Sequence, residues 1–300
     1  MKRDTFLGVI FALIASVGFS AKAIFIKLAY LEHVDAITLL ALRMAFSVPF
    51  FVVVAIWVNW RHAEPLKKQD WLAVLGLGLL GYYLSSLLDF LGLQYISAGL
   101  ERLILFLYPT MTVILGALIY KRAIGRKVLA AMALSYAGIS LVFVHDVSIN
   151  DGGVMLGATL VFASTLSYSS YLVGAGHTIA RIGATRFTAY AMVVASVASL
   201  LQFAVTHPLT ALNLPLRVYE LSIGMAIFST VLPVFMLSYA IRRLGAGNTS
   251  LIGSIGPVST ILLAYVFLGE HISFLQIAGS CLVLAGVIVV SLNSGRVVVK

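Results

Sequence analysis

Apolar residues fill this chain in ten long runs, at 6–30, 36–58, 71–93, 99–120, 128–144, 153–175, 186–205, 219–241, 247–268 and 274–292, with short connectors such as Arg242-Arg243-Leu244-Gly245 between them. A helix needs roughly 20 mostly apolar residues to cross the hydrocarbon core of a bilayer. The pattern therefore predicts an all-α integral membrane protein with ten transmembrane helices. Inside the runs, polar side chains recur at helical spacing. Ser164, Ser167, Tyr168 and Tyr171 form such a stripe on the sixth run, and Ser16 and Ser20 hold the matching places on the first. Tyr82, Ser85, Ser86 and Asp89 do the same on the third, and Glu101, Tyr108 and Thr112 on the fourth. Lipid cannot hydrogen-bond these faces, so they are expected to turn inward, lining a central cavity or bonding helix to helix.

Composition sharpens the picture. Of 300 residues, 61% are hydrophobic and 10% charged, against about 25% charged in a soluble domain; mean hydropathy is +1.05. No stretch is left for a soluble catalytic domain, and no cluster of His, Asp and Ser points to a membrane enzyme. A net charge of +9 would suit nucleic-acid binding, but its placement speaks for topology. With the N-terminus inside and the runs alternating, Lys2, Arg3, Arg61, Lys67, Lys68, Lys121, Arg122, Arg126, Lys127, Arg181, Arg186, Arg242, Arg243, Arg296 and Lys300 share one face, while Arg217 is alone in the loops of the other. The outer loops carry Glu32, Asp35, Asp146, Asp151 and Glu270 instead. Lys and Arg in short loops stay cytoplasmic, which places both termini inside, in a cell (inner) membrane, and removes the case for nucleic acid. Trp57, Trp60 and Trp71 fit an anchoring belt at the cytoplasmic boundary.

The opening Met1-Lys2-Arg3-Asp4 is not read as a signal peptide, because the run behind it is long, contains Lys22 and lacks a small-x-small cleavage site. Cys281 is the single cysteine, and His33, His62, His145, His177, His207 and His271 sit in loops or at span ends without metal-ligand spacing. Neither a metal nor a cofactor is expected.

Shifting the chain against itself by 148 positions aligns Ala98-Gly99 with Ala246-Gly247, Pro109 with Pro257, Thr112 with Thr260, Ala137-Gly138 with Ala285-Gly286 and Ala15-Ser16 with Ala163-Ser164. The chain reads as two five-helix units, 1–147 and 148–300. Five crossings are an odd number, so the second unit starts on the opposite side of the membrane and the repeats are inverted, a construction used by secondary transporters. Pro109 and Pro257 remove backbone hydrogen bonds in mid-span, as do Pro49 and Pro233, and the first two, being repeat equivalents, are candidate hinges.

The segments Ala98-Gly99-Leu100-Glu101 through Tyr108-Pro109-Thr110 and Gly247-Asn248 through Gly256-Pro257-Val258, with Phe267-Leu268-Gly269-Glu270 after the second, resemble the fourth helix of an EamA-type unit. With ten spans in two such units, the chain resembles the EamA family of the drug/metabolite transporter superfamily. The resemblance implies an exporter-like fold around a central cavity, with substrates ranging over amino acids, other metabolites and amphipathic drugs. Where the second copy ends Leu268-Gly269-Glu270, the first has Ile119-Tyr120-Lys121-Arg122; Glu270 is therefore read as a helix-end cap and not as a duplicated functional acid.

Besides Arg186 and Glu220, which fall in the first two positions of their runs, six charged residues lie within the spans: Lys22, Lys27, Arg43, Asp89, Glu101 and Arg102, all in the first repeat. Holding such a charge at mid-helix costs about 2.5–3.5 kcal/mol, so each should face a cavity or a partner, with Lys27 and Arg43 able to snorkel toward the outer surface. If Asp89 and Glu101 each take one cation, two positive charges remain, an excess that suits an anionic substrate group. The competing reading is a structural ion-pair network. The expected function is a secondary transporter exporting small organic metabolites, amino acids foremost, by alternating access. Lys22 would draw the substrate carboxylate. Tyr82, Tyr108, Tyr168 and Tyr171, with Ser20, Ser85 and Ser164, would line the cavity, and Asp89 or Glu101 would carry a coupling proton. An exporter of lipophilic cations and a membrane scaffold or sensor without transport are the alternatives. Two halves in one chain make a functional monomer the expected state.

Overall fold

The computed structural model describes residues 2–61, 65–121, 124–149 and 152–294, all of them in helices, turns or loops. His62, Arg122, Asp151, Arg296 and Lys300 lie outside the described residues. The first half of the chain forms α1 (Lys2–Tyr30), α2 (Ala36–Arg61), α3 (Lys68–Gly78), α4 (Ser85–Gly92), α5 (Ala98–Leu105), α6 (Tyr108–Ile119) and α7 (Arg126–Ile149). The second forms α8 (Val154–Ile182), α9 (Ala184–Thr206), α10 (Leu216–Ala226), α11 (Leu232–Gly253), α12 (Gly256–Leu268) and α13 (Phe274–Ser294). A π-helical turn, Leu79–Leu84, joins α3 to α4, and another, Ile227–Val231, joins α10 to α11. At the offset of 148, α10 falls on α3 end for end, the second π turn starts where the first does, and α12 starts where α6 does. The backbone thus carries the repeat down to an irregularity that no residue pattern announces.

Among the described residues seven helical stretches are long and apolar enough to cross a membrane: Thr5–Tyr30, Ala36–Arg61, Lys68–Gly92, Ala98–Ile119, Val154–Ile182, Ala184–Thr206 and Leu216–Leu244. Val128–Val144, Gly256–Leu268 and Phe274–Val289 are shorter apolar helices. Two expectations change here. The connector Arg242-Arg243-Leu244-Gly245 is helical, and α11 runs through it to Gly253. Arg and Leu are good helix formers, and an exposed arginine can keep its charge in water from a helix surface; Arg243 lays its guanidinium 5.3 Å from the ring centre of Phe11. Nor do Pro109 and Pro257 kink a continuous helix. The fourth span is broken at Phe106-Leu107 and its counterpart at Ser254-Ile255, and each proline sits in the first turn of the helix that restarts, where its missing N–H costs nothing. Pro49 lies well inside α2, and Pro233 follows the second π turn within the helical stretch Leu216–Leu244.

The halves interlock through their first helices. α1 packs along α10, α11 and α12, and α8 makes the corresponding contacts with α3, α4 and α6, while α2 meets α9 and α7 meets α13. Hydroxyls from the opposite half's first helix bond to carbonyls beside the breaks in the fourth spans. Thr165 and Ser169 of α8 donate to Ile104 O (3.3 Å) and Tyr108 O (3.2 Å). Ser16 and Ser20 of α1 donate to Gly253 O (3.1 Å) and Gly256 O (2.9 Å). Tyr108 and Gly256 are repeat equivalents.

α7 and α13 approach so closely that a Cβ on either Gly138 or Gly279 would stand 2.5 Å from the other's carbonyl oxygen, an arrangement that small residues permit. Gly279→Leu is expected to destabilise the protein by at least the 1–3 kcal/mol typical of overpacking. A melting curve in detergent measures this, and an unshifted transition would contradict the packing.

Candidate functional site

Three charged side chains of the first half, Lys22, Asp89 and Glu101, meet at one point, nearer the α4–α5 turn than the opposite end of the bundle. Lys22 projects from α1, Asp89 from the last turn of α4 and Glu101 from the first turn of α5, a helix capped by Ser97, whose Oγ accepts from the Leu100 N–H at 3.1 Å. Glu270, from the far end of the chain, accepts the N–H of Ala98 at 3.1 Å, so it is indeed a helix cap, but of a helix in the other repeat. Lys22 Nζ lies 2.5 Å from Asp89 Oδ2 and 3.2 Å from Glu101 Oε1. The acids are almost wholly enclosed (3% and 1% of their side-chain surface), whereas the lysine side chain keeps 17% of its own.

The expected pairing of one cation per acid is therefore corrected: both carboxylates share Lys22. One ammonium balances one carboxylate, and among the described residues neither Asp89 Oδ1 nor Glu101 Oε2 has a hydrogen-bond donor. Arg102 acts electrostatically on Lys22 and Glu101 from the same helix as Glu101, and lies over the Phe106 ring at 5.4 Å. Arg43 does not snorkel to the surface. It is buried, gives a hydrogen bond to Ser86 Oγ at 2.9 Å and stacks its guanidinium 4.9 Å from the centre of Phe90. Its partners lie inside the bundle, and both compensate for part of its lost hydration.

Four tyrosines form a second cluster. Tyr82, in the first π turn, and Tyr171 of α8 bring their hydroxyls to 3.0 Å. Tyr171 meets Tyr168 at 5.5 Å between ring centres, and Tyr168 meets Tyr108 at 5.7 Å. Gly81 makes this possible, since a Cβ there would collide with the ring of Tyr171. The serines predicted to line a cavity have another role. Ser164 and Ser167 donate to Ser85 O (2.6 Å) and Leu80 O (2.7 Å), carbonyls in and beside the π turn, Ser85 bonds back to Gly81 O, and Ser20 serves the broken helix. A π turn shifts carbonyls out of the regular ladder, and these hydroxyls accommodate them. Two cavities, of about 210 and 250 Å³, lie elsewhere in the fold.

Toward the other end of the bundle α3 is tied to α8. Asp70 is buried in the first turn of α3, accepts the N–H of Lys67 at 3.0 Å and pairs with Arg181. Beside it the rings of Trp71 and Tyr190 meet at 5.1 Å. The sequence pattern did not single out Asp70, nor Phe187, which extends the tyrosine cluster at 6.0 Å from Tyr171, nor the second hydroxyl stripe, Thr165 and Ser169. That stripe was available at i, i+4 spacing. The Asp70–Arg181 pair, two residues 111 positions apart, was not.

Apolar helices of membrane-spanning length, a duplicated unit and a buried charge cluster where the halves meet define a multi-pass membrane protein of the transporter class. The comparison with known families agrees: the model described as the EamA-like transporter family matches residues 6–144 and again 155–292. This chain belongs to the EamA-like transporter family, within the drug/metabolite transporter superfamily, and is a transporter and not an enzyme. It is 31% identical over 288 residues to the uncharacterized transporter YcbK of Bacillus subtilis, covering 92% of this chain and 90% of that one. It is 25% identical over 220 residues to the S-adenosylmethionine/S-adenosylhomocysteine transporter of Chlamydia trachomatis, covering 70% and 67%. A solved crystal structure superposes with a TM-score of 0.67 over 96% of this chain and 98% of its own at 18% identity, a likeness of fold.

Proposed function

We propose that this protein is a secondary transporter exporting amino acids or close derivatives across the cytoplasmic membrane by alternating access, working as a monomer. In this reading ten helices cross the membrane in two inverted units, 1–147 and 148–300, with both termini in the cytoplasm. The observation that carries the substrate class is the Lys22–Asp89–Glu101 triad. A zwitterion can exchange with it group for group, its carboxylate taking Lys22 and its ammonium taking the acid that Lys22 releases. Tyr82, Tyr108, Tyr168 and Tyr171 would part to enclose its side chain, and Asp89 or Glu101 would carry a coupling proton. The Chlamydia relative, named for two amino-acid derivatives, supports this class. The excess of carboxylate over ammonium in the triad and the faces of the four tyrosines also favour a second reading, a lipophilic cation. Uptake of labelled amino acids and cationic dyes into proteoliposomes separates them: saturable amino-acid flux is expected, and dye flux alone would replace the first reading with the second.

The Asp70–Arg181 pair would then hold the cytoplasmic end shut. Asp70→Asn should open it and raise maleimide labelling of a Thr178→Cys reporter, buried one turn from Arg181, in a Cys281→Ser background. Equal labelling with and without Asp70→Asn would remove the latch.

A further inference from the structure

The twofold repeat offers an internal comparison at the start of its second helix. Ahead of α2 stands Asp35, whose Oδ1 accepts from the N–H groups of Ile37 (2.9 Å) and Thr38 (3.0 Å). That carboxylate satisfies donors the first turn leaves over and sets a negative charge against the positive end of the helix. At the offset of 148 the cap of α9 is Gly183, at φ +86°, and no side chain caps this helix. Where the first repeat has its carboxylate, the second has a cavity of about 210 Å³. Trp57, Arg61, Gly183, Thr185 and Arg186 are among its walls, and none of the residues around it is acidic.

The chemistry of these walls converges on one kind of ligand. Arg186 takes the place of Thr38 and is buried, with Nη2 donating to Asn59 Oδ1 at 3.2 Å. Arg61 is exposed and lies 4.4 Å from the centre of the Trp57 ring. Gly183, Ala184 and Thr185 are exposed too, so the cavity opens at the protein surface. The planar forks of two arginines match phosphate oxygens, and a helix amino end adds its N–H groups. Trp57 and Trp60 are exposed beside it, as interfacial residues at headgroup depth are, and basic pockets between membrane helices receive anionic headgroups.

We propose that this cavity binds a phosphate group, presented by the headgroup of an anionic phospholipid or as free phosphate, and that the bound anion does for α9 what Asp35 does for α2. The site is separate from the triad and stands whether or not the substrate assignment does.

The test takes the full-length protein in a neutral detergent free of phosphate and follows tryptophan emission and melting temperature during titration. The ligands are dioctanoyl phosphatidylglycerol, dioctanoyl phosphatidylcholine and inorganic phosphate. Saturable binding of phosphatidylglycerol or of phosphate is expected, weakened about tenfold by Arg61→Gln and by Arg186→Gln, the order of one charge-assisted hydrogen bond. A response confined to phosphatidylglycerol assigns the lipid as source, and one to inorganic phosphate at similar concentration assigns the free anion. Arg61 is at the surface, so its variant decides the matter even if Arg186→Gln fails to fold. An equal response to both phospholipids, binding unchanged in Arg61→Gln, or no response to any of the three overturns the proposal.

Discussion

Lys22→Met is expected to abolish transport and to cost about 3–5 kcal/mol of stability, the range for breaking a buried ion pair on one side. Methionine keeps the unbranched apolar stem of the lysine and removes its ammonium group with its charge and N–H donors. Among the described residues Lys22 is the one cation in contact with either acid, so its loss leaves two enclosed carboxylates facing each other. A structural and a functional role for the lysine separate in the double variant Lys22→Met/Asp89→Asn. Removing one acid together with the cation should restore much of the melting temperature, because the two sites interact directly and their effects are not additive. Transport should stay absent, because the seat for a substrate carboxylate is gone. Recovery of both stability and flux would make the triad a structural device only.

Glu101→Gln should separate exchange from driven transport. Two carboxylates on one ammonium leave a negative charge to be balanced as the site empties and fills, and a proton on Glu101 is the simplest counterion. A pH gradient of one unit is worth about 1.4 kcal/mol per coupled proton, a tenfold accumulation ratio. Wild-type proteoliposomes are expected to accumulate substrate to about that ratio, and the Gln variant to reach only equality while still exchanging labelled for unlabelled substrate. An identical response to the gradient in both proteins would move the coupling to Asp89 or point to facilitated diffusion.

The fold was largely legible in the sequence because the bilayer imposes simple rules. Apolar length set the helices, and one register of Pro, Gly and Ala matches revealed the repeat that α3 and α10 reproduce end for end. The sequence did not reveal how the chain departs from regular helix. Pro109 and Pro257 marked the places where the spans break but not the breaks themselves, since a proline in a restarting first turn and one inside a kink leave the same trace. Nothing in Leu79–Leu84 or Ile227–Val231 distinguishes a π turn from an α-helix, and the turn redirects Ser164 and Ser167 from a cavity to carbonyls. The candidate site was legible as a set of residues and not as a set of bonds. Lys22, Asp89 and Glu101 stood out because charge is rare in the spans, yet their shared pairing depends on how α1, α4 and α5 cross.

The measurement closest to the central claim is counterflow in proteoliposomes without a pH gradient, with the vesicles loaded with unlabelled amino acids and given the same amino acids labelled outside. Wild-type protein should draw label inward transiently above its equilibrium level, and Lys22→Met should not. Equal counterflow in the two proteins would contradict the account, because amino acids would then cross without the ammonium assigned to hold their carboxylate.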